Sequence, residues 1–137
     1  MEKHLILSRI ETPDGTILTS THQHDFKMYL DTVSNEQYIL DGGNSYQRTS
    51  VNKVPFKDLS VYSIDPHETV RESLTWGSYG RNGDEPLIVK PISKLTTEHI
   101  KAILRTQTQL KEHIKEIFNN ELEYRATAEL QDSDWFE

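Results

Sequence analysis

Residues 26–33 (FKMYLDTV) place Phe26, Met28, Leu30 and Thr32 on one side of the chain and Lys27, Tyr29, Asp31 and Val33 on the other. That period of two predicts a half-buried strand. Residues 4–10 (HLILSRI) and 16–21 (TILTST) flank Thr12-Pro13-Asp14-Gly15. Proline presets φ at the second turn position and glycine accepts a positive φ, so these runs read as a β-hairpin. Ser34-Asn35-Glu36 turns the chain into a strand at residues 37–40, and Asp41-Gly42-Gly43-Asn44 breaks it again. Residues 46–51 and 59–64 supply further short strands. In Asp65-Pro66-His67-Glu68 the aspartate is placed to cap free amides, proline suits the first helical position and Glu68 completes a capping box. A short helix over residues 66–74 follows. The glycines at 77, 80 and 83 make the next segment a loop or hairpin tip displaying Trp76 and Tyr79, before a last strand at 87–89.

From Thr96 the period lengthens. Ile100, Ile103 and Leu104 follow helical spacing behind Thr96 and Thr97 as caps, and Leu110, Ile114, Ile117, Phe118 and Leu122 form one stripe of a second, longer helix. The two join near residues 106–108. The predicted fold class is therefore α+β, an antiparallel β-sheet body over residues 4–90 followed by two C-terminal helices. Residues 1–126 are expected to form a single domain, and residues 127–137 a flexible acidic tail with Trp135 and Phe136 as an anchor.

At 137 residues the chain suits one core. Only 34% of its residues are apolar, which predicts a modest core and self-association into a dimer or a multiple of dimers, with the helical stripe as the contact. Four of its seven net negative charges belong to Glu129, Asp132, Asp134 and Glu137, leaving −3 for the rest. A nearly neutral body does not suit DNA or RNA, whose binding needs a basic face. The start, Met1-Glu2-Lys3-His4, lacks the basic stretch and apolar run of a signal peptide, and no stretch is apolar enough to span a bilayer, so a cytosolic protein with no membrane partner is expected. The absence of cysteine removes thiolate metal sites and a cysteine nucleophile.

The chemistry-bearing residues fall into small groups. His22, His24 and Asp25 suggest a metal set if the histidines alternate along a strand, but a zinc site needs at least a third ligand that spacing does not supply. Nucleophile elbows, phosphate-cradling loops and helical His-Glu-x-x-His patterns are missing, so neither catalytic residues nor a cofactor are assigned. Lys101 and Arg105 lie one helical turn apart, away from the apolar stripe, and suit a diphosphate. Arg48, Thr49 and Ser50 form a fork of donors followed by two hydroxyls. Trp76 and Tyr79 offer flat faces for a base.

Thr12-Pro13-Asp14-Gly15, His22-x-His24-Asp25, Asp41-Gly42-Gly43, Leu59-Ser60-Val61-Tyr62, Asp65-Pro66-His67-Glu68, Trp76-Gly77-Ser78-Tyr79-Gly80 and Thr97-Glu98-His99-Ile100 together resemble a family of small tailed-phage proteins. The order of a strand-rich body and two helices also resembles the Thoeris anti-defence sponge proteins of phages, which hold cyclic ADP-ribose-type immune signals without cleaving them. The resemblance implies a dimer-based oligomer in the cytoplasm of an infected bacterium, binding a small nucleotide signal between subunits. It implies Lys101 and Arg105 as the cationic pair, with lysine at the first of two expected arginines, and Trp76 or Tyr79 as the stacking ring. A second site for cyclic oligonucleotides would fall on Arg48, Thr49 and Ser50. Two other function classes stand beside this one: a phage protein that binds a host protein through the Trp135-Phe136 tail, and a metal-dependent nucleotide hydrolase using His22, His24 and Asp25.

Overall fold

The computed structural model describes residues 3–49, 55–80 and 82–134, with side chains as far as residue 130. It is a mixed α+β fold in which antiparallel sheets precede most of the helix. The chain divides into two compact units, Met1–Asp65 and Pro66–Glu137.

The N-terminal unit holds two sheets. β1 (Leu5–Glu11) pairs antiparallel with β2 (Ile17–Ser20), and the short β6 (Lys57–Asp58) and β7 (Val61–Tyr62) also pair with β1. β3 (Lys27–Leu30), β4 (Gln37–Asp41) and β5 (Arg48–Thr49) form the other sheet in that order. The expected strand at 46–51 is thus only Arg48–Thr49 among the described residues, and 59–64 contributes only Val61–Tyr62. Ile10, Leu18, Tyr38 and Leu40 form a buried cluster, with Tyr29 packed against it. Each such side chain contributes roughly 1.5–3 kcal/mol on leaving water.

The first hairpin forms as its turn chemistry predicts: the Gly15 N–H donates to the Thr12 carbonyl at 2.9 Å, with Gly15 at φ 93°. Asp14 then ties that turn to β3. One of its carboxylate oxygens accepts from the Thr16 N–H (2.9 Å), the Thr16 hydroxyl (2.6 Å) and the Thr12 hydroxyl (3.0 Å). The other accepts from the Tyr29 hydroxyl (2.6 Å), the Thr32 N–H (2.9 Å) and the Thr32 hydroxyl (2.9 Å). The Thr16 hydroxyl, the Thr32 N–H and the Tyr29 hydroxyl hold this carboxyl far below the usual range. Asp31 is fully buried and accepts from the N–H groups of Asp14, Val33 and Ser34 and from the Ser34 hydroxyl.

Tyr29 therefore faces inward, and the alternating apolar residues of β3 face outward. Phe26, Met28 and Leu30 are 49%, 60% and 58% exposed. The strand expected here is present as Lys27–Leu30, with its apolar side outward. Period alone sorts residues into two sides, whereas the Tyr29 hydroxyl and Asp14 decide which side turns in.

The C-terminal unit begins with α1 (His67–Ser73), followed by the hairpin of β8 (Thr75–Ser78) and β9 (Ile88–Pro91), a 3-10 turn at Ile92–Lys94, α2 (Thr97–Thr106) and α3 (Glu112–Asp134). The expected Asp65 cap is not made. Pro66 occupies the cap position without a side-chain bond, and the Asp65 carboxylate accepts instead from the Tyr62 N–H at 2.9 Å. Thr96 does cap α2, its hydroxyl accepting from the His99 N–H at 3.1 Å. The apolar stripe of α3 packs within the unit, with Ile117 and Phe118 buried and Ile114 and Leu122 half-buried; Leu110, expected on the same stripe, is half-buried in the turn before the helix begins. Helix continues past Arg125 through Asp134, into the segment expected to be a tail. Trp135 and Phe136 lie outside the described residues.

At the centre of this unit sits Glu121, completely buried. One carboxylate oxygen accepts from Arg71 Nε (2.8 Å) and lies 3.0 Å from His67 Nε2, while the other accepts from Arg71 (2.8 Å) and Arg125 Nε (2.7 Å). Burial pushes this carboxyl up, but hydrogen bonds from Arg71, Arg125 and His67 outweigh it and hold it at about 2. Arg125 also donates to the Ile92 and Leu95 carbonyls (3.1 and 2.7 Å) and the Thr97 hydroxyl (2.9 Å). One ion cluster thus binds α1, α3, the 3-10 turn and the start of α2.

Candidate functional site

A concave site lies in the C-terminal unit, on one face of the β8–β9 hairpin. Trp76 is directly paired with Lys90 and Ser78 with Ile88, so all four side chains project from that face. Gly80 and Glu85 of the connecting loop line one end, where the Glu85 N–H closes the loop by donating to the Tyr79 carbonyl at 2.8 Å. Leu95 and His99 complete a wall of the cleft, which measures about 150 Å³.

Trp76 is one of the residues lining this cleft. Its ring meets Phe118 edge-on, with centroids 5.7 Å apart and planes at 78°. Such a T-shaped contact fixes the indole plane without covering its whole face. Lys90 supplies an ammonium beside it, His99 an imidazole, Ser78 a hydroxyl and Glu85 a carboxylate. The volume is below the roughly 300 Å³ at which pockets for drug-sized ligands begin, so the cleft matches one ring or a small polar group of a larger ligand. No match to the chain is found among protein-family models, curated proteins or solved structures.

The residues singled out in the sequence scatter. Of the loop or hairpin expected here the structure has the hairpin, with Trp76 inside strand β8, which continues pairing through Ser78. Tyr79 is the exposed aromatic at the loop's start. Lys101 and Arg105 both lie on the solvent side of α2, away from buried Ile100 and Ile103, and neither lines the cleft. Lys101 is also 3.8 Å from Glu98, an ion pair of two exposed side chains.

In the N-terminal unit Arg48 is committed to Asp41 at 3.0 Å, with Thr49 beside it half-buried. Ser50, the third residue of that proposed site, lies outside the described residues. The other oxygen of Asp41 is buried without a hydrogen-bond partner among the described residues.

His22 and His24 do not alternate on a strand; they lie in the turn between β2 and β3, with His24 at φ 69°. The turn's own bonds consume the group: Asp25 accepts from the Thr21 N–H (2.9 Å) and Lys27 (3.0 Å), and His22 Nδ1 lies 2.7 Å from the Thr21 hydroxyl. Among the described residues no three His, Asp or Glu side chains gather as a metal-ligand set. No helix among them is long and apolar enough to cross a membrane.

Sequence reasoning did not single out Lys90, Ser78 or Glu85 as ligand-facing residues. The available signal was hairpin register, since once Trp76 is in a strand its cross-strand neighbour shares its face.

Proposed function

We propose that the C-terminal unit binds a small anionic ligand carrying a flat ring, of the nucleotide class, and holds it without chemical change. The observation that carries this reading is the Trp76 indole, braced edge-on by Phe118 inside a cleft that also presents Lys90 and His99. One base stacks on the indole, and the Lys90 ammonium beside it favours the phosphate. The cleft's volume matches one ring, so the rest of a cyclic signal extends beyond it.

The resemblance to phage sponge proteins gives this binding a purpose: sequestering a cyclic ADP-ribose-type or cyclic oligonucleotide immune signal in the cytoplasm of an infected bacterium. In that setting Lys101 and Arg105 provide a second, exposed cationic pair for phosphates outside the cleft.

Calorimetric titration with cyclic ADP-ribose and with a cyclic dinucleotide tests the proposal, with chromatography of ligand released by heating to confirm that it returns intact. Trp76→Ala is expected to weaken binding by about 1–3 kcal/mol, the worth of one stacked base. Lys90→Ala and Arg105→Ala compare the cleft cation with the helix pair. Failure of the unmodified protein to bind either ligand, or unaltered binding by Trp76→Ala, would remove the reading.

A further inference from the structure

The polar groups of the β8–β9 cleft follow an order along the hairpin. Trp76 and Lys90 form one cross-strand pair, and Ser78 and Ile88 form the next on the same face, roughly 7 Å nearer the tip. Gly80 and Glu85 lie beyond them, in the connecting loop. A cation therefore stands beside the indole, and a hydroxyl and a carboxylate stand toward the tip.

Gly80 brings that hydroxyl and that carboxylate together. Its N–H donates to Ser78 Oγ at 3.1 Å, which uses a lone pair of the oxygen and leaves the hydroxyl proton to be given away. Its φ is 87°, in the left-handed region, and a Cβ at this position would strike the Glu85 carboxylate. Glycine thus permits both the turn and the close approach of Glu85. Among the described residues neither the Glu85 carboxylate nor the Lys90 ammonium takes part in a hydrogen bond or ion pair. Other charged side chains of the unit are committed to one another, Arg71 and Arg125 to Glu121 and Lys115 to Glu112.

One donor beside two acceptor oxygens complements the pairing edge of one base. Guanine presents the O6 acceptor, then the N1–H donor, then the exocyclic N2–H donor. We infer that the cleft reads guanine: the Ser78 hydroxyl donates to O6, the two Glu85 oxygens accept from N1–H and N2–H, and Lys90 meets the phosphate while the ring lies on Trp76. The inference rests on the nucleotide binding proposed above and names its base. Two parallel bonds to a carboxylate are charge-assisted and fix the plane of the ring. Adenine carries a lone pair at N1, which would face a carboxylate oxygen, acceptor against acceptor. Pyrimidines offer the carboxylate at most one donating position. Of the signals considered above, a guanine-bearing cyclic dinucleotide matches this edge, and cyclic ADP-ribose, whose base is adenine, does not.

Calorimetric titration of the full chain with GMP, IMP and AMP tests the assignment, since the three share ribose and phosphate. GMP is expected to bind about ten- to a hundredfold more tightly than AMP. IMP keeps O6 and N1–H but lacks the amino group, and falls between them. Glu85→Gln exchanges one acceptor for a donor, and its amide then matches N6–H and N1 of adenine, so the preference turns toward AMP. A merely structural role for Glu85 would weaken all three ligands alike.

Equal binding of GMP and AMP that still depends on Trp76 overturns the guanine assignment and leaves the nucleotide reading standing. IMP binding as tightly as GMP, or a Glu85→Gln variant that keeps the GMP preference, overturns it in the same way. Binding of none of the three, nor of a cyclic dinucleotide of guanine, removes the assignment together with the reading beneath it.

Discussion

The two units solve the same problem, an ionised carboxylate held by several donors at once, with opposite chemistry. In the N-terminal unit Asp14 and Asp31 are surrounded by hydroxyls and backbone N–H groups, most of them a few residues away or on the adjoining strand. In the C-terminal unit Glu121 is surrounded by Arg71, Arg125 and His67, and two of these arrive from α1, fifty or more residues earlier. Neutral donors shape turns at the point where the carboxylate emerges. Cations with long side chains tie separate helices to one atom pair. Removing a neutral donor therefore leaves one bond unmade, whereas removing the carboxylate from the cationic cluster leaves charges stranded in the interior.

The sharpest way to break this comparison is Glu121→Gln, which retains shape and removes charge. It is expected to cost about 3–5 kcal/mol, because Arg71 and Arg125 lose their counter-ion. Thermal or urea unfolding measures it, and a cost under 1 kcal/mol would make the cluster ornamental.

Acid should separate the units next. The Glu121 carboxyl lies at about 2, below its ordinary 4.5, so its contribution is complete above about pH 4.5 and is lost as pH falls toward 2. Its full size is on the order of 3 kcal/mol. Asp14 is depressed further, so its contribution persists to more acidic pH. Trp76 fluorescence in a Trp135→Phe background is expected to report loss of the C-terminal unit before the amide signals of Thr16 and Thr32 change. The reverse order would mean that neutral donors protect a carboxylate less than cations do.

The smallest effect belongs to Ser8→Ala. The Ser8 hydroxyl donates to the Gly43 carbonyl at 2.7 Å in the interior of the N-terminal unit, and its loss is expected to cost about 1 kcal/mol. A cost like that of Glu121→Gln, measured in the same unfolding experiment, would erase the distinction between the units.

Local turn chemistry was legible in the sequence. Pro13 and Gly15 announced the first hairpin, Thr96 announced the start of α2, and the α+β order followed from the change of period after residue 95. What depends on distant partners was not. The direction faced by β3 hangs on Tyr29 reaching Asp14, and the Asp65 side chain was taken by Tyr62 before it could cap α1. Residues 126–134 lack an apolar stripe, yet Ala126, Ala128, Glu129, Leu130 and Gln131 are all strong helix formers, and α3 simply propagates through them. The candidate site was half legible. Trp76 was visible as an unusual aromatic, but Lys90 became its neighbour only through strand register, and His99 came to the same cleft from another element.

Arg125 has a consequence for the speed of recognition. Its guanidinium holds the carbonyl of Leu95, and Leu95 with His99 makes one wall of the cleft. That wall is latched to α3 before any guest arrives, much as a mould is clamped before casting. Under the binding proposed above, a guest entering beside Trp76 meets that wall already held in place. Little of its binding energy is spent on immobilising protein. The proposed binding is then expected to be limited by encounter, its observed rate climbing in proportion to guest concentration, without the plateau that a slow conformational step would impose.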